Sequence, residues 1–174
     1  MTQNNKLIHN GSLISLYKER VDLDSGKHTY FDIVKHPGGS VIAAINEHDE
    51  ICILRQWRHA VKQFVWEFPA GCIEPNEAPL SVAKRELEEE TGTIADDWQE
   101  LGPVLASPGY SNEVLYFFVA KNLSQGSIKL DDAEQLDSFW LSLEKVYAMA
   151  KSGKISDAKT LAMIGKLLVS DIKI

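Results

Sequence analysis

The chain has 174 residues, 44% of them hydrophobic and 25% charged, and a formal net charge of −7. That length suits one domain over residues 1–174 with a core of its own, and the composition speaks against disorder. The acidic excess argues against general nucleic-acid binding, which draws most of its affinity from a basic surface. No apolar run approaches the roughly 20 residues of a membrane span, and the polar start MTQNNKLIHNGS has no signal-peptide core. A cytoplasmic setting is expected, with Cys52 and Cys72 reduced; their C-x19-C spacing suits no metal site.

Residues 1–6 read as a loose tail. Residues 13–23 and 28–36 are rich in Ile, Val, Tyr and Phe and read as two strands joined by the hairpin signal Asp24-Ser25-Gly26. Pro37-Gly38-Gly39 breaks the chain. Residues 40–45 and 51–57 form a second strand pair around residues 46–50. Residues 61–68 read as a further strand, in which Glu67 is a charge that needs a partner or a role. Pro69-Ala70-Gly71 then turns the chain. Residues 98–106, 113–120 and 138–141 read as strands, and residues 143–151 and 157–170 as helices with Ser142 and Ser156 as N-cap candidates. The order of strands, helix, strands and helices predicts an α+β fold with a mixed sheet and flanking helices.

Between these lies GCIEPNEAPLSVAKRELEEETGT, residues 71–93. Its second half reads as a helix: Leu80, Ala83 and Leu87 form an apolar stripe, Pro79 suits the first turn, and Gly92 suits the residue past the end. Glu86, Glu89 and Glu90 fall at i, i+3 and i+4, so their carboxylates share a face and repel. Such runs are ordinarily solvated, here with Arg85 or Lys84 to pair with Glu88 or Glu89. A hard divalent cation would turn the repulsion into coordination. The full pattern, G-x5-E-x7-R-E-L-x-E-E-x-G-T, resembles the signature of the Nudix hydrolases and departs from it at Thr93, where an aliphatic residue is usual.

The resemblance implies an α/β/α sandwich that hydrolyses a diphosphate joined to another moiety. It implies Mg²⁺ or Mn²⁺, two or three ions per site, on Glu86, Glu89, Glu90 and the carbonyl of Ala70. Gly71, Glu77, Arg85 and Gly92 would support the site. Pro108 stands sixteen positions after Gly92, within SPGYSNE, and resembles the marker of ADP-ribose pyrophosphatases and related nucleoside-diphosphate-sugar hydrolases. Glu113 of that segment would then be the general base, with Glu89 or Glu90 as the alternative.

Arg55-Gln56-Trp57-Arg58 resembles the RQYR segment of the same group, so Arg55 or Arg58 would meet phosphate. Trp66-Glu67-Phe68-Pro69-Ala70-Gly71 also resembles that group and implies a substrate contact for Glu67. Tyr30, Phe31 and Tyr110 are candidate platforms for a base, with core packing as the other reading of Tyr30 and Phe31. Phe31-Asp32 replaces a basic residue common in that strand. Residues 1–38 form an N-terminal β-hairpin layer upstream of the catalytic core at 39–174, either an added layer or the arm of a homodimer. The expected reaction is cleavage of ADP-ribose to AMP and ribose 5-phosphate. The alternatives are GDP-mannose or another nucleotide sugar, or a nucleotide sensor of the same fold that has lost catalysis.

Overall fold

The computed structural model describes residues 5–130 and 134–171. Strand β4 (Gly39–Ala44) explains most of the architecture. All six of its residues are buried, so both faces of the strand are covered. Val41, Ala43 and Ile45 pack on one side with residues of α2 (Leu143–Lys151) and α3 (Ala158–Val169): Val146, Met149, Met163, Ile164 and Leu167. Ile42 and Ala44 pack on the other with Ala83 and Leu87 of α1 (Pro79–Thr91). The period of two along β4 thus separates two helix layers. Each large side chain buried this way contributes roughly 2 kcal/mol relative to exposure.

Around β4 lie β7 (Ala70–Cys72), β8 (Thr93–Leu105) and β9 (Val114–Gln125) in the order β7-β4-β9-β8. The sheet is mixed, because β4 runs parallel to β9 and its other pairings are antiparallel. An antiparallel sheet, β10-β5-β6, joins β5 (Glu50–Arg58), β6 (Gln63–Glu67) and β10 (Leu136–Ser142). The predicted α+β class and layered sandwich are both present.

The N-terminal layer is a three-stranded antiparallel sheet of β1 (Asn5–Asn10), β2 (Ser15–Asp22) and β3 (His28–Lys35), rather than a hairpin. The loose tail expected over residues 1–6 is corrected at Asn5 and Lys6, which pair with Glu19 and Lys18; residues 1–4 lie outside the described residues. Tyr30 and Phe31 are about half exposed on this sheet, with Leu7, Ile8 and Val21 also open, which corrects the core-packing reading. Main-chain bonds tie the sheet to the body: the Val34 amide donates to Tyr110 at 2.7 Å and the Asn112 amide to Val34 at 3.2 Å.

Other boundaries move. The buried stripe of α1 is Val82, Ala83, Leu87 and Glu90, while Leu80 is exposed. Asp157, not Ser156, caps α3, accepting from the Thr160 amide at 2.9 Å; the two are adjacent, and only the helix axis decides which oxygen reaches N3. Ser142 caps α2 as expected.

Candidate active site

Helix α1 stands where its sequence puts it. Pro79 occupies the first turn, and Gly92 closes the end with φ 65°, its amide donating to Glu88 at 2.7 Å. That left-handed conformation is the reason for a glycine there. The helix lies against β7, so the glutamates face the strand that opens the signature. Glu90 is 2% exposed and accepts from the Ala70 amide at 3.0 Å. Glu86 lies so close to Gly71 that an added Cβ would fall 1.9 Å from its carboxyl group. Glycine at 71 is therefore a packing requirement that leaves room for a carboxylate.

Arg85 organises the outer side. Its Nε and Nη2 fork onto Glu77 at 3.1 and 3.0 Å. Its Nη1 donates to Glu86 at 2.6 Å and to Glu89 at 3.1 Å. Glu77 and Arg85 thus have the supporting geometry expected of them, and Arg85 chooses Glu86, Glu89 and Glu77 rather than Glu88. The Glu77 carboxyl is held below its usual range by the Arg85 hydrogen bonds.

Burial raises Glu86, with the charges of Glu89 and Glu134 adding to the rise against Arg85. Glu90 is pushed well above the usual carboxylate range, first by burial, then by the charges of Glu86 and Glu134. Among the described residues no three His, Cys, Asp or Glu side chains converge as a finished metal cage; Glu86 and Glu89 are bonded to Arg85. The donor set nonetheless fits a hard divalent cation. Carboxylates whose proton affinity is raised by burial and by neighbouring carboxylates, beside a strand amide and a glycine cleft, gain stability when a cation replaces the proton. Glu86, Glu89, Glu90 and the Ala70 carbonyl are the groups that could hold it.

Glu134 is the residue that sequence reasoning passed over. It lies in the acidic run ahead of β10, whose Asp131, Asp132 and Ala133 are outside the described residues. A signal existed in the sequence: Asp131, Asp132 and Glu134 stand close together just ahead of the residues read as a strand.

Glu113 begins at the end of the 107–112 loop. Its amide donates to Ser111 Oγ at 3.1 Å, and its carboxylate is 3.6 Å from His36 Nδ1. His36 Nδ1 also accepts from the Gly38 amide at 3.0 Å. That bond requires an unprotonated Nδ1, so the Glu113 contact is proximity and not an ion pair. Pro108 lies in the turn of this loop, whose Ser107 carbonyl accepts from the Tyr110 and Ser111 amides. Tyr110 is exposed.

The two arginines part company. Arg55 and Arg58 are three apart in β5 and face opposite ways. Arg55 stacks over Phe64 at 4.4 Å in an open pocket with Trp57 and Trp66. Arg58 forks onto Glu67 at 2.7 and 2.6 Å. Glu67 is 1% exposed and also pairs with Lys159. Burial pulls Glu67 upward, but the Arg58 bonds and Lys159 outweigh it and hold the carboxyl below its usual range. The buried glutamate therefore has a partner, and Arg58, whose charge also reaches Glu90, is the arginine on the side of the helix carboxylates. Tyr30 and Phe31 stay on the N-terminal sheet.

The arrangement coincides with known proteins. The NUDIX domain profile matches residues 34–164. The ADP-ribose pyrophosphatase of Bacillus subtilis (strain 168) is 36% identical over 155 residues, 88% of this chain and 84% of that protein. The methanol dehydrogenase activator of Bacillus methanolicus is 32% identical over 166 residues, 94% of this chain and 90% of that protein. The crystal structure of an ADP compounds hydrolase superposes with a TM-score of 0.83 at 19% identity, covering 96% of this chain and 91% of that one, which establishes the shared fold. With the profile spanning most of the chain and α1 carrying the complete carboxylate set, the protein is a hydrolase of the Nudix family.

Proposed function

We propose that the chain is a Mg²⁺-dependent hydrolase of nucleoside diphosphate sugars, Mn²⁺ substituting, with ADP-ribose as the first substrate and AMP and ribose 5-phosphate as products. One observation carries the reading: half-buried Glu86 and buried Glu90 pack against Gly71 and Ala70 with their proton affinities raised, which is a carboxylate pocket that a divalent cation would relieve. The similarity to the Bacillus subtilis ADP-ribose pyrophosphatase supports the substrate choice.

When bound, two or three divalent ions would supply charge neutralisation on the diphosphate and acidify the attacking water. Glu86, Glu89, Glu90 and the Ala70 carbonyl would hold them. Arg85 keeps the outer carboxylates oriented through Glu77. Arg58, 40% exposed at its side chain and fixed by Glu67, offers its remaining donors to a phosphate oxygen. Glu113 takes the proton of the attacking water from its loop, with Glu89 or Glu90 of the helix as the alternative base; the charge of Glu134 raises the proton affinity of Glu86 and Glu90. Pro108, Tyr30 and Phe31 complete the substrate assignment, with Arg55 on the other face of β5 as an outer contact; Glu67, buried and held by Arg58 and Lys159, orients Arg58 in place of the substrate contact expected of it. The half-exposed apolar residues of β1–β3 support the arm of a homodimer through which Tyr30 or Phe31 would reach a partner's base site. Residues 1–174 act as one catalytic domain in the cytoplasm.

A panel of ADP-ribose, GDP-mannose and other nucleotide sugars with Mg²⁺, read by phosphatase-coupled phosphate release, tests this. ADP-ribose should give the highest kcat/KM. No turnover on any diphosphate sinks the enzymatic reading and leaves a nucleotide sensor. A large preference for GDP-mannose transfers the substrate assignment to that nucleotide.

A further inference from the structure

The first turn of α3 touches the signature's approach strand at two consecutive residues. Lys159 pairs with Glu67 and, at 3.1 Å, with Asp157. Thr160, 0% exposed, accepts from the Phe68 amide at 3.1 Å through Oγ1. The same hydroxyl donates to Asp157 at 2.7 Å, and the Asp157 carboxylate also accepts from the Thr160 amide. Phe68 lies in the gap between β6 and β7, beyond the last β5–β6 ladder pair at Glu67. The hydroxyl of Thr160 gives this buried amide the acceptor it needs.

The chain then runs through Pro69, whose carbonyl accepts from the Ile42 amide at 2.8 Å. It reaches Ala70, whose amide donates to Glu90. Only Pro69 separates the α3 anchor at Phe68 from the backbone that holds the most buried carboxylate of α1.

We propose that Lys159 and Thr160 are positioning residues of the metal pocket: they lock the Glu67–Phe68 segment so that Ala70 presents its amide to Glu90 and its carbonyl to the cation. The proposal rests on the reading of Glu86, Glu89 and Glu90 as cation ligands. Thr160 acts through the backbone of Phe68 and Lys159 through the carboxylate of Glu67, so the two contributions are chemically separate. A purely structural clamp would lower the melting temperature and leave the affinity for metal unchanged. A positioning clamp lowers both, because partners that orient ligands set the affinity of the site.

The test is Mn²⁺ binding to the full chain without substrate, read from the free-Mn²⁺ electron paramagnetic resonance signal. Wild type, Thr160→Val, Thr160→Ser, Lys159→Met and Glu90→Gln are compared well below each melting midpoint. Thr160→Val, nearly isosteric but without the hydroxyl, should raise the Mn²⁺ Kd about tenfold. Thr160→Ser should stay within about twofold of wild type, since it restores the acceptor. Lys159→Met should shift Kd in the same direction and serves if Thr160→Val does not fold. Wild-type Mn²⁺ affinity in a folded Thr160→Val or Lys159→Met overturns the proposal. Binding that ignores Glu90→Gln overturns both it and the metal reading. Binding that depends on Glu90 and follows Thr160, in a protein that hydrolyses no nucleotide sugar, supports the proposal while the substrate reading falls.

Discussion

Replacing Gly71 by Ala tests the site at its tightest point. The new Cβ would lie 1.9 Å from Glu86 Cδ and Oε1 and 2.4 Å from Cγ. Ordinary contact begins at 3.4 Å, so the carboxyl group must withdraw by about 1.5 Å, the difference between 3.4 and 1.9. The backbone itself accepts alanine, because Gly71 is a strand residue outside the positive-φ positions. The obstacle is the far end of a flexible side chain, so the folded state should lose less than about 1 kcal/mol. Function should lose much more, since a displacement of about 1 Å at a reacting centre costs about a hundredfold. Hydrolysis of ADP-ribose under saturating Mg²⁺ and calorimetric melting measure the two effects side by side. In a Glu86→Gln background the same change should cost less than about twofold, because both substitutions act through one carboxylate. A Gly71→Ala protein with wild-type turnover would show that Glu86 does its work elsewhere.

Glu90→Gln should raise the melting temperature of the metal-free protein at pH 8 while it lowers turnover by at least about a hundredfold. A buried carboxyl with a raised proton affinity destabilises the fold wherever it is ionised, and this penalty vanishes as pH falls through its folded value; a lower melting temperature for the variant contradicts this. Glu67 works with the opposite sign. Its folded value lies below the usual one, so its contribution is present above roughly pH 4.3, the usual glutamate value, and disappears as pH falls through the depressed value. Glu67→Gln should cost about 2 kcal/mol at pH 7 by urea unfolding, below the usual loss for a broken buried pair. Lys159 keeps Asp157, and Arg58 is partly solvated. The difference should shrink at pH 3, and a pH-independent gap would refute the ion-pair origin. Iodoacetamide should label the native protein once, at exposed Cys72, because Cys52 is buried with its thiol pushed up to about 12; mass spectrometry finding label on Cys52 would contradict its burial.

The glutamates of α1 could be read from spacing because a helix converts i, i+3 and i+4 into one face by covalent geometry alone. Residues 40–45 were likewise legible as a strand, while the burial of β4 on both faces came only with the helices that cover it. β1 was missed because NKLIHN is a short polar segment whose strand character comes from pairing with β2. The partner of Glu67 was open for a related reason. Lys159 lies 92 positions away, and nothing local says that α3 ends its first turn against β6. Glu134 stayed unseen because its charge meets Glu86 and Glu90 only after β10 has docked beside β5.

Spacing by itself determines that the carboxylates of α1 share one helix face. The reaction class is legible in the sequence through the resemblance of the whole residue 71–93 pattern to the Nudix signature, since a glutamate face alone is ordinarily solvated. Placement across the sandwich is different. Which arginine lies on the side of the helix carboxylates, which distant carboxylate adds its charge to theirs, and which hydroxyl meets the Phe68 amide depend on contacts between segments far apart in the chain. The docking of β5, β6 and α3 makes those contacts, through packing forces that no local pattern records.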